Sequence, residues 1–171
     1  MKGNYQGGRQ SNKFALELQH WLSRSNFDIL CTVSLKQGLP IGCNSAAQDS
    51  IIWSRISDAD IERTAWILRD RFTKAAFGKR NNKRYPFLVF REGDGAQKRF
   101  HLHFLTVRPS DISFENFEMR FRSAALGLDW VYNEIDVRAV EDGTANRVLG
   151  YCLKEGQDAF LPAASFVPAL I

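Results

Sequence analysis

The chain has 171 residues, 44% of them hydrophobic and 25% charged, enough for one domain with its own core. No apolar run is long enough to span a bilayer, and the start, Met1 to Asn12, is too polar for a secretory signal. A net charge of +4 permits a polyanionic partner without demanding one. The three cysteines, Cys31, Cys43 and Cys152, are odd in number and form no CxxC pair. They point to a reducing intracellular compartment and exclude a zinc ribbon.

In chain order, residues 1–12 read as a disordered leader. Lys13 to Arg24 follows with helical spacing at Phe14, Leu18, Trp21 and Leu22, and its His20 reads as a surface or packing residue. Phe27 to Leu35 alternates as a strand, with Phe27, Ile29, Cys31, Val33 and Leu35 on one side and Asp28, Thr32 and Ser34 on the other. A turn-rich loop with Gly38, Pro40, Gly42 and Asn44 then runs to about Ser50, and Ile51-Ile52-Trp53 reads as a short strand. Ser57 with Asp60 predicts a capped helix whose apolar stripe is Ile61, Ala65, Leu68, Phe72 and Ala75 or Ala76, stopping at Gly78. Its exit is densely basic: Arg69, Arg71, Lys74, Lys79, Arg80, Lys83 and Arg84. Such a run is either a solvated helix end or a phosphate-contacting surface.

Tyr85 to Arg91, the turn Glu92-Gly93-Asp94-Gly95, and Lys98 to Val107 predict a hairpin. A helix starts within Pro109 to Ser113, with Phe114, Phe117, Phe121 and Ala124 or Ala125 as its core face and Gly127 as its stop. Trp130 to Arg138 is a further strand. Glu141-Asp142-Gly143 turns into a last helix from about Thr144 to Gly156, and a tail follows. This order predicts an α+β domain: an antiparallel sheet of about five strands with flanking helices on one face, ferredoxin-like in plan. Residues 13–158 form that domain and 159–171 its C-terminal tail.

The chemistry concentrates on two stretches. Alternation along Phe100 to Val107 aims His101 and His103 the same way, beside Arg99 and Leu105. Glu92, at the end of the neighbouring strand, can approach that face across the hairpin. Two imidazoles and a carboxylate are an open, catalytic type of donor set suited to Mn²⁺ or Mg²⁺, although His-x-His also occurs as a packing pair. On the last helix, Tyr151, Lys154 and Glu155 share a face, with Arg147 one turn earlier. A free phenol titrates near pH ~10, so cations beside Tyr151 would favour its use as an oxyanion nucleophile. Lys154 could offset charge growing on a phosphate.

His101-Leu102-His103 with Glu92 upstream, followed by Tyr151-Cys152-Leu153-Lys154 and Glu155-Gly156, closely resembles the HUH endonucleases. Within them it resembles the single-tyrosine initiators (Rep) of rolling-circle replication. Cys31-Thr32-Val33-Ser34-Leu35 resembles, more loosely, that family's first motif. The resemblance runs from about Asp28 to Gly156; it departs from the pattern in the helix before the first motif and in having no helicase domain after the last.

The resemblance implies an HUH nuclease fold and a site-specific, metal-dependent single-strand DNA nicking and joining enzyme. His101, His103 and Glu92 would hold the metal, Tyr151 would form a 5′-phosphotyrosine, and Lys154 would assist. Single-stranded DNA at an origin or hairpin would be the substrate, with host replication proteins or a helicase as further partners and no membrane. Such a protein works in the cytoplasm of a bacterium or in the nucleus of a cell infected by a eukaryotic virus. DNA contacts are expected from Thr32, Ser34, Lys79, Arg80, Lys83, Arg84 and Arg147. The competing readings are a single-tyrosine HUH transposase and a non-catalytic nucleic-acid-binding domain of ferredoxin-like fold.

Overall fold

The computed structural model describes residues 27–41, 52–78, 85–141 and 143–166. The leader, the helix expected at Lys13 to Arg24, His20, Cys43 and the cluster Lys79, Arg80, Lys83 and Arg84 lie outside them. Four strands form the main sheet: β1 (Ile29–Leu35), β4 (Phe87–Glu92), β5 (His101–Thr106) and β6 (Val131–Ala139). Their order is β4-β5-β1-β6, antiparallel throughout. Helix α1 (Asp58–Phe77) carries the chain from β1 to β4, and α2 (Phe114–Ala125) carries it from β5 to β6. Each crossover skips one strand, which is the interlocked, ferredoxin-like plan.

The main sheet has four strands against about five expected, and two further strands form a ribbon of their own. The segment expected at Ile51-Ile52-Trp53 becomes β3 (Ile52–Arg55), and it pairs with β2 (Gly38–Ile41) in a separate two-stranded sheet. The stretch expected as loop thus supplies a strand. Pro40 sits in it without conflict, because a two-stranded ribbon is all edge and needs no second ladder.

Local chemistry sets the helix boundaries. Ser57 Oγ accepts from Asp60 N and the Asp60 carboxylate accepts from Ser57 N, a complete capping box at the start of α1. Ser113 caps α2 through Asn116 N. Arg120 of α2 donates to the carbonyls of Ala75 and Ala76 in the last turn of α1, satisfying groups that a helix end leaves open. The stripes Ile61, Ala65, Leu68, Phe72 and Phe117, Phe121, Ala124, Ala125 are buried against one face of the sheet. Cys31, Val33, Val89, Leu102 and Phe104 meet them from below, so the odd residues of β1 and the even residues of β5 make the floor of the main core.

Among the described residues the other face is only half covered. The third helix, α3 (Ala145–Cys152), brings Leu149 and Cys152 onto Leu88, Phe90 and Leu105. Helices therefore flank both faces rather than one. Residues 160–166, expected as a tail, run beside β4: Phe87 exchanges both backbone hydrogen bonds with Phe166 at 2.7 Å, and Leu161 N donates to Val89 O. That covers an edge strand that would otherwise present unpaired amides. Over β1 and β6 none of the described residues covers the second face. Among the described residues no helix is long and apolar enough to cross a membrane.

Candidate functional site

The open half-face is a cleft of about 690 Å³. Thr32, Ser34, His101 and His103 form its floor, β6 one wall and α3 the other, with Arg147 and Tyr151 on the α3 side. Strand parity explains the floor. Thr32 and Ser34 alternate with core Cys31, Val33 and Leu35, and the histidines alternate with core Leu102 and Phe104. Register then fixes neighbours: His103 lies opposite Thr32, and His101 lies opposite both Ser34 and Glu92.

Glu92 is the hub. It is 4% exposed at the end of β4. Its Oε2 lies 2.6 Å from His103 Nε2 and accepts from the Tyr151 hydroxyl at 3.3 Å. Its Oε1 accepts from Lys154 Nζ at 2.6 Å and is also paired with Lys98. Burial pushes this carboxyl up, but the hydrogen bonds from Lys154, Lys98 and His103 outweigh burial and pull it down to about 2. The Glu92 contact raises the Lys98 ammonium, and it raises Lys154 against the opposing effect of desolvation. Burial lowers the His103 imidazole more than Glu92 raises it.

Tyr151 stands on the rim, half exposed, its ring edge-on to His103 at 5.7 Å. Lys154 Nζ lies 3.6 Å from the centre of the Tyr151 ring, a cation–π contact. These two residues meet for a different reason from the one expected. The helix ends at Cys152, not Gly156, so Lys154 and Glu155 belong to a turn. That turn is tightened by Lys154 N to Tyr151 O and Gly156 N to Leu153 O, each spanning three residues. Glu155 leaves the helix face and clasps the hairpin, accepting from Gly93 N at 2.7 Å and Lys98 Nζ at 3.2 Å. Gly93 has φ +104, and a Cβ there would collide with the Arg99 carbonyl, so only glycine fits the clasp.

The site thus brings together Tyr151, Lys154, Glu92 and His103. His101 lies beside them, its ring 6.5 Å from that of His103. Among the described residues no three metal-ligating side chains already surround one point, because Glu92 is turned onto His103 and the two lysines. The donor set nevertheless fits a divalent cation. His103 is a buried imidazole with Thr32 Oγ1 3.1 Å from its Nδ1, the outer hydrogen bond that orients a ligating ring. Its Nε2 points at a carboxylate that lies cross-strand from the second imidazole.

Thr32 therefore faces His103, Ser34 is 5% exposed under His101, and Arg147 lines the cleft. Sequence reasoning missed Lys98, because a strand starting there would aim it away from Glu92; in the structure it lies in the loop before β5. It also missed the acidic wall of the cleft. Asp136 pairs with Arg138 at 2.5 Å, and Glu134 pairs with Arg99 at 3.0 Å. Alternation along Trp130 to Arg138 carried that signal, with Glu134, Asp136 and Arg138 in phase opposite core Ile135 and Val137.

No protein-family model, curated protein or solved structure matches the chain.

Proposed function

We propose that the protein is a metal-dependent, site-specific single-strand DNA endonuclease and strand transferase of the HUH type, acting at a replication origin. The observation that carries the reading is the convergence of Tyr151, Lys154, Glu92 and His103 from three separate stretches onto one rim of an open cleft. A half-exposed tyrosine with an ammonium 3.6 Å from its ring centre is a nucleophile open to a polymer and supported as charge develops.

His101, His103 and Glu92 would hold a divalent cation, Mn²⁺ or Mg²⁺, which supplies Lewis-acid polarisation of the phosphate. The remaining work falls to the chain. The cleft orients a single strand across the sheet, and Arg147 faces its phosphates. The Tyr151 oxygen attacks phosphorus as the bond to the 3′ oxygen breaks. The phenolic proton passes to water on the exposed side, and the leaving oxygen takes up a proton as a 3′-OH. Lys154 follows the negative charge from the phenol to the phosphate. Because phosphodiester energy is retained in the 5′-phosphotyrosine, reverse attack by a 3′-OH reseals a strand without ATP.

The test pairs wild type with Tyr151→Phe on single-stranded origin hairpins in Mn²⁺. Tyr151→Phe should keep the fold and lose both cleavage and the covalent adduct. Cleavage by Tyr151→Phe at the wild-type rate would refute the nucleophile. The same assay with inverted-repeat element ends separates an initiator from a single-tyrosine transposase.

A further inference from the structure

We propose that Thr32 is a positioning residue: its hydroxyl holds His103 Nδ1 and lets the ring exchange one tautomer for the other when Nε2 is needed by a cation. The inference rests on the metal-holding role proposed for His103, and it assigns to Thr32 a task other than contact with DNA.

Thr32 lies at the centre of the sheet, on β1, with β5 and β6 paired on its two sides. Its partner across β5 is His103. The ladders hold the backbone, and a β-branched side chain has few rotamers, so Oγ1 is fixed where it meets Nδ1 at 3.1 Å. His103 is 3% exposed, so its ring nitrogens rely on protein partners rather than on bulk water. Both must find protein partners, and they are Thr32 and Glu92.

The donors can be assigned. Glu92 is an ionised carboxylate facing two ammonium groups and can only accept. The 2.6 Å contact therefore places a ring proton on His103 Nε2, and a ring carrying that proton alone leaves Nδ1 free to accept. Nδ1 is then the acceptor and the Thr32 hydroxyl the donor. A cation at Nε2 needs that nitrogen's lone pair, so the Nε2 proton passes to water in the open cleft and Nδ1 takes one from the same water, leaving the ring's charge unchanged. Nδ1–H then needs an acceptor. A hydroxyl supplies it by rotating about its C–O bond, with no heavy atom moving. Valine, nearly the same shape, can do neither and leaves Nδ1 unpartnered in both states.

Histidine-¹⁵N NMR of the metal-free protein and calorimetric titration with Mn²⁺ test this on wild type, Thr32→Val and Thr32→Ser, with thermal melts to verify folding. Metal-free wild type should carry the His103 proton on Nε2 with a hydrogen-bonded Nδ1. Thr32→Val should lose the Nδ1 hydrogen-bond signature and bind Mn²⁺ about 10–100-fold more weakly, the usual effect of removing a ligand's outer partner. Thr32→Ser should recover most of the affinity, which a role in packing the methyl group would not allow. A metal-free ring protonated on Nδ1, or a Thr32→Val protein that takes up Mn²⁺ as tightly as wild type, overturns the proposal and leaves the metal centre standing. A wild type that takes up no Mn²⁺ overturns the metal centre and the proposal with it.

Discussion

Replacing Glu92 with glutamine removes the charge on which two lysines, a histidine and a tyrosine converge while keeping the side chain's shape. The direction of the effect is not obvious. A buried carboxylate costs desolvation, and active-site charges often destabilise a fold, so its removal could stabilise. The structure decides against that, because the hydrogen bonds outweigh burial and hold the group at about 2 against an ordinary 4.5. That difference corresponds to roughly 3 kcal/mol. The lysine side chains are 43% and 37% exposed, so screening reduces it to about 2 kcal/mol. A folded-state pKa below the unfolded one stabilises above pH 4.5, and the gain is lost as pH falls towards 2. Urea unfolding in a chelating buffer should show Glu92→Gln less stable by about 2 kcal/mol at pH 7. The gap should narrow steadily between about pH 5 and pH 2. A variant as stable as wild type at pH 7, or a gap independent of pH, would refute the balance of forces assigned to the hub.

The opposite face carries its own test. Phe72 is fully buried, with the rings of Phe117, Phe87, Phe121 and Tyr85 at 4.8, 5.6, 5.7 and 5.8 Å. Phe72→Ala should cost about 3–5 kcal/mol in chemical denaturation; a loss below about 1 kcal/mol would mean that the two helices do not share this core. The buried thiols supply an alkaline counterpart. Burial, then the Glu92 charge, pushes Cys152 up to about 12, and burial pushes Cys31 up as well. In a Cys43→Ser background neither thiol should react with a disulfide reagent at pH 8 before unfolding. Because its folded-state pKa is raised, the Cys152 thiol's stabilisation is complete below pH 9 and is lost as pH rises towards 12. Rapid native-state labelling of Cys152 would show that α3 does not cover the sheet.

Periodicity made much of this molecule legible. The strands at Ile29–Leu35, Phe87–Glu92, His101–Thr106 and Val131–Ala139 and the helices at Asp58–Phe77 and Phe114–Ala125 all lie where alternation, apolar stripes and capping residues put them. Where one face is buried, as in Val131–Ala139 and both helices, burial writes a period into the sequence; Phe87–Glu92, buried on both faces, reads instead as an apolar run. Partner choice is written less clearly. Ile52 and Trp53 have strand chemistry whether they join the main sheet or, as here, a ribbon with Gly38–Ile41. Similarly, α3 has an apolar face but no mark of which side of the sheet receives it.

The floor of the site followed from strand parity alone. The hub's second lysine did not, because Lys98 is aimed by a loop whose path depends on the Asp94 carboxylate accepting from the amides of Ala96, Gln97 and Lys98. Tyr151 and Lys154 were expected as neighbours on one helix face. They meet instead through a tightened turn and a shared carboxylate. The residue pair was legible, the geometry that joins it was not.

The central claim is that Tyr151 attacks a DNA phosphate. Its most direct measurement is peptide mass mapping of wild-type protein after incubation with single-stranded origin DNA and Mn²⁺, followed by nuclease trimming. The account predicts a nucleotide remnant joined through phosphate to Tyr151, absent when the metal is chelated. Cleaved DNA bearing a free 5′-phosphate, with Tyr151 unmodified throughout the time course, would contradict it.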